Sequence, residues 1–535
     1  MRTTPSIRPA SLAAALAILA LPGGRDTARA QEPAFDWVSP AGGAGDEIGL
    51  GLAADAAGNT ALTGHFNDGA IFGNITLRTT AHAIFVTKCD RAGARLWVRS
   101  SGGASTGEGR GVAFDPAGNL YVTGIFTGNL PFTATSPRPA NSSAMFLAKL
   151  DAAGRSLWTQ RAGGDDPAGW ANGSRVAIAP NGDCLVAGEF KGAADFGGVT
   201  LAAADGTAQA FLARYDPAGG LLWARGVAPA ANDLRRPVAM DASGGIWLGG
   251  CFSGTAAFAG ATLNSRGRGD ILVARFDAAG NPVWARQAGG EDPGVADTAN
   301  AIAVDAAGNV VVAGVFLGAG VFAERTLVSA GATDAFVAKY DAAGKLLWAV
   351  SGGGADADSA NALALDAVGN VYVTGFFVGS ATFSGRQVVT GQHADVFVAK
   401  YDRSGRLLWL VQSGGGAYSN GHGIALSATE EVFIGGYFRG NNLFGSLSVP
   451  GRGLRDAFIA RVLQPPRPAL ELRRELDRPV LSWRASGPAF SLESSESLRA
   501  EDWLPVNAAP GSSGDRRTVT NDFSSQRRFF RLRNN

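Results

Sequence analysis

Residues 366–409 read DAVGNVYVTGFFVGSATFSGRQVVTGQHADVFVAKYDRSGRLLW, and this stretch decides the fold. Val371–Phe377 and Asp395–Asp402 are short runs that alternate apolar with small or polar residues, bounded by Gly, Asn and Asp, which predicts strands. Ala362–Asp366 before them and Leu407–Trp409 after them complete a unit of four strands, A to D. In Asp366-x-x-Gly369-Asn370 the Asp side chain can cap its own turn, and Gly accepts the positive φ of a tight hairpin. The same turn recurs at Asp55/Gly58/Asn59, Asp115/Gly118/Asn119 and Asp305/Gly308/Asn309. Tryptophans close the units at Trp37, Trp97, Trp158, Trp223, Trp284, Trp348 and Trp409, at intervals of 60, 61, 65, 61, 64 and 61 residues. Seven copies of one antiparallel unit follow.

A single small sheet cannot bury both its faces, and stacking seven of them around an axis covers them. The predicted fold is therefore all-β: a seven-bladed β-propeller over 31–464, with four antiparallel strands per blade. The chain ends supply closure. The seventh copy has a strand C, Asp456–Leu463, but meets Pro465-Pro466 before any strand D, while Phe35-Asp36-Trp37 is an orphan strand D. A ring joins these halves by making the N-terminal strand the outer strand of blade 7, whereas an open solenoid has no use for complementary half-repeats. After a proline-rich linker at 465–468, residues 469–535 lose the glycine-rich pattern. Leu481–Trp483, Phe490–Glu493, Asp502–Val506 and Phe529–Leu532 suit a small β-sandwich.

Composition fits this reading. The chain has 75 Gly in 535 residues and is 46% hydrophobic and 17% charged, which excludes collagen, disordered and coiled-coil classes. Residues 1–30 resemble a secretory signal peptide: Arg2 and Arg8 precede the apolar run Leu12–Leu21, and Ala28-Arg29-Ala30 offers a cleavage site before Gln31. Export to the periplasm, cell surface or medium is the expectation. No later stretch is long and apolar enough to span a bilayer, and a monomer is expected. With 47 basic and 46 acidic residues, bulk charge does not favour nucleic acid. Cys89, Cys184 and Cys251 occupy apolar strand positions in different copies and are expected to be buried thiols.

The copies Gly369–Gly375 (GNVYVTG) and Phe397–Asp402 (FVAKYD), with the glycine-rich acidic loop, resemble the SBBP bacterial beta-propeller repeat from about Phe35 to Leu463. That resemblance implies export and a binding or structural role, and it fixes neither a ligand nor a catalytic residue. The tail is similar in style to immunoglobulin- or fibronectin-III-like domains of exported bacterial proteins.

Up-and-down strand order places the short A–B and C–D turns at one end and the longer B–C and D–A connections at the other, where a ligand site is expected. The D–A connections carry acidic residues, among them Glu108, Asp165 and Asp166. Asp297, Asp356 and Asp358 are candidate ligands for a hard cation. Gly354-Ala355-Asp356-Ala357-Asp358 suits calcium chemically, although it lacks a full D-x-D-x-D-G spacing and turn capping is the competing role. His65 at the end of strand B of blade 1, His82 and His393 late in B–C connections, and His422 in the D–A loop of blade 7 are the other candidates. They fall in three consecutive blades, as a metal or acid–base cluster requires, but the near-equivalence of His82 and His393 favours a repeat-derived structural role. The basic residue of strand C (Lys88, Lys149, Arg214, Arg275, Lys339, Lys400, Arg461) is too far from the axis to line a channel and is expected to pair with the repeat's own Asp or to snorkel along the sheet. The seven tryptophans are expected to pack blade on blade. Arg268-Gly269-Asp270 matches an adhesion tripeptide by coincidence with the strand-C acidic position. The leading expectation is a non-catalytic binding or surface-scaffolding protein with a protein or glycan ligand. An extracellular lyase or hydrolase using His65, His82 or His422, and a purely structural envelope component, are the alternatives.

Overall fold

A computed structural model describes residues 32–534, apart from 103–104, 134–139, 165–168, 204–206, 230–235, 392, 415, 417, 465–470, 476–477, 485–489, 496–503, 507–509, 514–515 and 521–528. The expected signal segment, the proline-rich linker, Asp165 and Asp166 lie outside the described residues. The chain divides into two compact units, one of them Pro33–Gln464.

That unit is a seven-bladed β-propeller. Blade 6 shows the plan: Ser359–Leu365, Val371–Phe377, Asp395–Tyr401 and Leu407–Gln412 form one antiparallel sheet in chain order. Blade 7 is closed as expected. Its strands A to C are Tyr418–Leu426, Val432–Arg439 and Asp456–Leu463, and its strand D is the N-terminal Ala34–Gly43. Trp37 stands opposite Arg461 and Pro40 opposite Phe458. Arg455 adds a two-nitrogen pair with Asp46 at 2.8 and 2.9 Å, and Arg461 pairs with Asp36. Strand pairing and charge thus seal the seam together.

The turns hold as their residues dictate. Asp366 Oδ1 accepts the Asn370 amide at 2.9 Å, its Oδ2 accepts the Asn370 side chain at 2.7 Å, and Gly369 takes φ +84°. Two copies lack the Asp and replace it. In blade 3 Asn181 Oδ1 accepts the Asp183 amide at 3.1 Å, and in blade 7 Ser427 Oγ accepts the Glu431 amide at 3.1 Å. The basic residues of strand C reach these turns: Lys339–Asp305 at 2.8 Å, Arg214–Asp183 at 2.9 Å and Arg461–Glu431 at 3.0 Å. Arg275 instead lies over the Trp247 ring, 5.1 Å from its centroid.

Six of the seven outer-strand indoles pack on the C–D turn of the following blade. The pairs are Trp37 on Gly93, Trp97 on Gly154, Trp158 on Gly219, Trp223 on Gly280, Trp284 on Gly344 and Trp348 on Gly405. Four of the indole N–H groups (Trp97, Trp158, Trp284 and Trp348) also donate to a carbonyl of that turn, as Trp348 does to Arg403 at 2.9 Å. Trp409 has no counterpart turn, since blade 7 takes its strand D from the other end of the chain.

One element differs from the sequence reading. The G-x-x-x-F segment, expected as a loop, is a miniature hairpin such as Ser380–Phe383 with Arg386–Val389. Ser384 and Gly385 at its tip take φ +48° and +82°, the paired positive values of a type I′ turn. The hairpin joins the preceding blade: Gly352 of the blade 5 outer strand stands opposite Phe383, Ala288 of blade 4 opposite Phe322, and Ala41 of blade 7 opposite Phe72. Its Phe then packs on strand C of its own blade, Phe383 to Phe397 at 4.6 Å. These three hairpins extend the preceding sheet over an outer edge that would otherwise be open, whereas Ala193–Asp195, Thr255–Phe258 and Asn442–Phe444 form separate two-stranded hairpins with their partners.

The C-terminal segment forms a four-stranded and a three-stranded sheet, with Leu481, Trp483 and Val519 of one and Leu492 of the other in a common core. This is the expected small sandwich. No helix occurs among the described residues, and none is long and apolar enough to cross a membrane. Cys89, Cys184 and Cys251 are buried free thiols.

Candidate functional site

The innermost strands of six blades carry a β-bulge at the same height. The register shifts across Leu50, Arg110, Ser174, Asn300, Asn361 and His422. A bulge sets two residues against one and re-aims side chains. Here the result is an axial cavity of about 230 Å³ ringed by Leu50, Arg110, Arg175, Pro237, Asn300, Asn361 and His422, one from each blade. His422, expected in a D–A loop, is therefore a residue of strand A. The loop ends sooner than its glycines suggest because Ser419 already donates its amide to the Ala394 carbonyl at 2.7 Å.

Parts of this ring are tied together. Asn300 Nδ2 donates to the Ala360 carbonyl and Asn361 Nδ2 to the Gly421 carbonyl, both at 3.0 Å, and Arg175 Nη1 donates to the Arg110 carbonyl at 3.0 Å. His422 stacks on Tyr437 at 5.5 Å, Tyr437 stacks on Tyr418 at 5.8 Å, and the Arg455 guanidinium lies 5.6 Å from the Tyr437 centroid. The cavity thus has guanidiniums on one side, Arg175 and an Arg110 paired with Glu108, and an aromatic side at His422.

The acidic candidates have a different surrounding. Asp358 Oδ2 accepts the Gly354 amide at 2.7 Å and Oδ1 the Val378 amide at 3.1 Å; Asp297 does the same with Gly290 and Leu317 at 2.7 and 2.9 Å. Both side chains are buried, and each ties the end of one blade's strand D to the end of strand B in the next. Their oxygens are engaged by backbone amides, which is the turn-capping role. Glu47 makes half of this tie in blade 1: its Oε2 accepts the Gly43 amide at 2.7 Å, and its buried Oε1 has no hydrogen-bond partner. Burial holds all three acids above the ordinary carboxyl range, Asp297 at about 6, Asp358 at about 7 and Glu47 at about 8. Asp356 is exposed and not grouped with them. Asp270 is buried and accepts the Arg266 amide at 3.0 Å, so the Arg-Gly-Asp carboxylate is not presented to solvent.

The histidines separate. His393 is exposed in the blade 6 B–C connection and His422 belongs to the channel ring. His65 and His82 come together, ring centroids 3.9 Å apart, beside Glu108 of blade 2. Burial, with His82 next to it, pushes the His65 imidazole down to about 4. Glu108, expected in a D–A connection, lies in strand A of blade 2 (Ser105–Phe114), and its meeting with the two histidines depends on blade packing and has no local signal.

No protein-family model matches the chain. It is 22% identical over 461 residues to an uncharacterised WD repeat-containing protein of Acanthamoeba polyphaga mimivirus, covering 76% of this chain and 30% of that one. It is 33% identical over 114 residues to the regulatory protein FlaEY of Caulobacter vibrioides, covering 21% of this chain and 12% of that one. The chain thus spans less than a third of either relative's length. Among solved structures, a protein of unknown function from Dyadobacter fermentans aligns at 11% identity with a TM-score of 0.36, over 81% of this chain and 99% of that one. A calcium-binding protein, regucalcin, of Agrobacterium tumefaciens aligns at 11% identity with a TM-score of 0.28, over 61% and 81%.

Proposed function

We propose that this chain is an exported, non-catalytic β-propeller that binds an acidic segment of an envelope or extracellular protein or glycan at its channel mouth. The observation that carries the reading is the contrast between scaffold and ring. Turns, tryptophans and strand-C cations repeat around the molecule, whereas the seven channel positions hold Leu50, Arg110, Arg175, Pro237, Asn300, Asn361 and His422. A regular scaffold presenting a mixed set of side chains at one cavity suits recognition, and the Arg175 guanidinium with an aromatic face suits an anionic partner. Two further features support a non-catalytic role: Asp297 and Asp358 are engaged in ties between blades, and Glu108 is held by Arg110 at 3.0 Å. Export rests on the pattern of residues 1–30, and the SBBP-like repeat supports a surface or scaffolding setting.

The test is a glycan and acidic-peptide array probed with the chain from Gln31 onward, followed by titration of the best ligand against Arg175→Met and His422→Ala. The reading expects saturable binding that falls about tenfold or more in each variant. Absence of any saturable ligand favours a purely structural component. Turnover of an array polymer establishes an enzyme instead.

A further inference from the structure

The seam between blades 1 and 2 holds a donor set that the channel reading leaves unused. His65 lies near the end of strand B (Thr60–Phe66), His82 immediately precedes strand C (Ala83–Cys89), and Glu108 lies in strand A of blade 2 (Ser105–Phe114). One nitrogen or oxygen from each falls within 4.8 Å of the others, the one such His/Cys/Asp/Glu group among the described residues. His65 Nδ1 is buried without a hydrogen-bond partner in a residue only 7% exposed. Buried polar atoms of this kind are nearly always satisfied, so an orphan points to something missing from its shell.

What faces that nitrogen is Glu108 Oε1 at 3.9 Å, too far for a hydrogen bond. The other oxygen, Oε2, receives Arg110 Nε at 3.1 Å and Nη2 at 3.0 Å. Arg110 therefore fixes the carboxylate with Oε1 left toward the histidines, the kind of outer support that orients metal ligands. The Gly107 amide donates to the His82 carbonyl at 2.9 Å, so the backbone carrying one candidate ligand is tied to the strand carrying another.

We propose that His65, His82 and Glu108 bind one divalent late first-row transition metal, with Zn²⁺ as the best match. Two imidazole nitrogens and one carboxylate oxygen suit zinc and its neighbours, whereas calcium and magnesium take oxygen shells. Zinc bonds of about 2.0–2.1 Å place tetrahedral ligand atoms roughly 3.3 Å apart. The donors must close by about 1.5 Å or less, and exposed His82 is the one free to move, toward a buried His65 and a Glu108 held by Arg110. Three protein ligands leave a fourth position for water or a ligand group. The site shares Arg110 with the channel ring, but its three ligands do not depend on what the channel binds.

The experiment uses the full chain without a polyhistidine tag, stripped with chelator and titrated calorimetrically with ZnCl₂. Wild type is expected to bind one equivalent, with affinity falling about tenfold or more in His82→Ala and in Glu108→Gln. His82 is exposed, so its variant is expected to keep the wild-type circular dichroism, which separates loss of ligation from loss of fold. Co²⁺ in place of Zn²⁺ is expected to give the visible absorption of a tetrahedral site, lost in His82→Ala and kept in His393→Ala. Failure of folded wild type to take up one equivalent, or equal uptake by both ligand variants, overturns the proposal.

Discussion

Replacing Gly405 by Ala tests how the blades lock together. The residue takes φ +86° in the blade 6 C–D turn, and a Cβ there would lie 2.8 Å from Cδ2 and 2.9 Å from Cε3 of Trp348 in blade 5. Two penalties add. A left-handed alanine costs about 1–2 kcal/mol, and forcing a methyl into a packed contact costs about 1–3 kcal/mol more. Gly118 separates them, because it takes φ +82° in the equivalent A–B turn of blade 2 with nothing within 4 Å of its Cβ position. The gain from a stiffer unfolded chain is common to both and cancels. Urea unfolding followed by circular dichroism is therefore expected to show Gly405→Ala less stable than Gly118→Ala by about 1–3 kcal/mol. In a Trp348→Leu background that difference should shrink, since the flat ring is what the methyl meets. Equal losses at Gly405 and Gly118 would refute the indole-on-glycine lock.

Other perturbations probe separate links. Arg236 and Glu189 form a buried pair at 2.7 Å between blades 3 and 4, so Glu189→Gln should destabilise by about 3–5 kcal/mol, whereas Glu189→Leu with Arg236→Met should recover most of it in the same unfolding assay. For the raised carboxyls Asp297, Asp358 and Glu47, the native state keeps protons that an unfolded chain releases near pH 4. Their contribution to stability is thus greatest below that pH and is lost as pH rises through about 6, 7 and 8. Thermal midpoints should fall between pH 5 and pH 8.5, with a shallower slope in Asp358→Asn; an unchanged slope removes Asp358 from the account. Deleting residues 32–43 strips blade 7 of its outer strand and bares the Asp456–Leu463 edge, so light scattering should detect self-association; a monomer with wild-type circular dichroism contradicts ring closure by that strand.

The propeller was legible because one noisy unit was written seven times. Tryptophan spacing and the orphan strand at Phe35–Trp37 fixed blade number and closure without any single strong strand signal. Hairpins such as Ser380–Phe383 with Arg386–Val389 were not legible, since runs of three or four residues are too short to show alternation. The bulges were invisible for a different reason: Leu50, Arg110, Ser174, Asn300, Asn361 and His422 have no side-chain type common to all, and the extra residue shows only against a paired strand. Asp297 and Asp358 were found as acidic positions, but their place between two blades' backbones is a tertiary fact. Glu108 stood in the D–A acids without any signal linking it to His65 and His82.

The seam at blade 7 also sets how the ring responds to load. Ala34 stands opposite Leu463, so the two ends of the propeller segment leave from the same edge of one antiparallel pair. Tension applied between them peels that pair one rung at a time, instead of shearing all its hydrogen bonds together. A molecule anchored at one end and tugged at the other would therefore part first at its own clasp, with the remaining six blades still stacked.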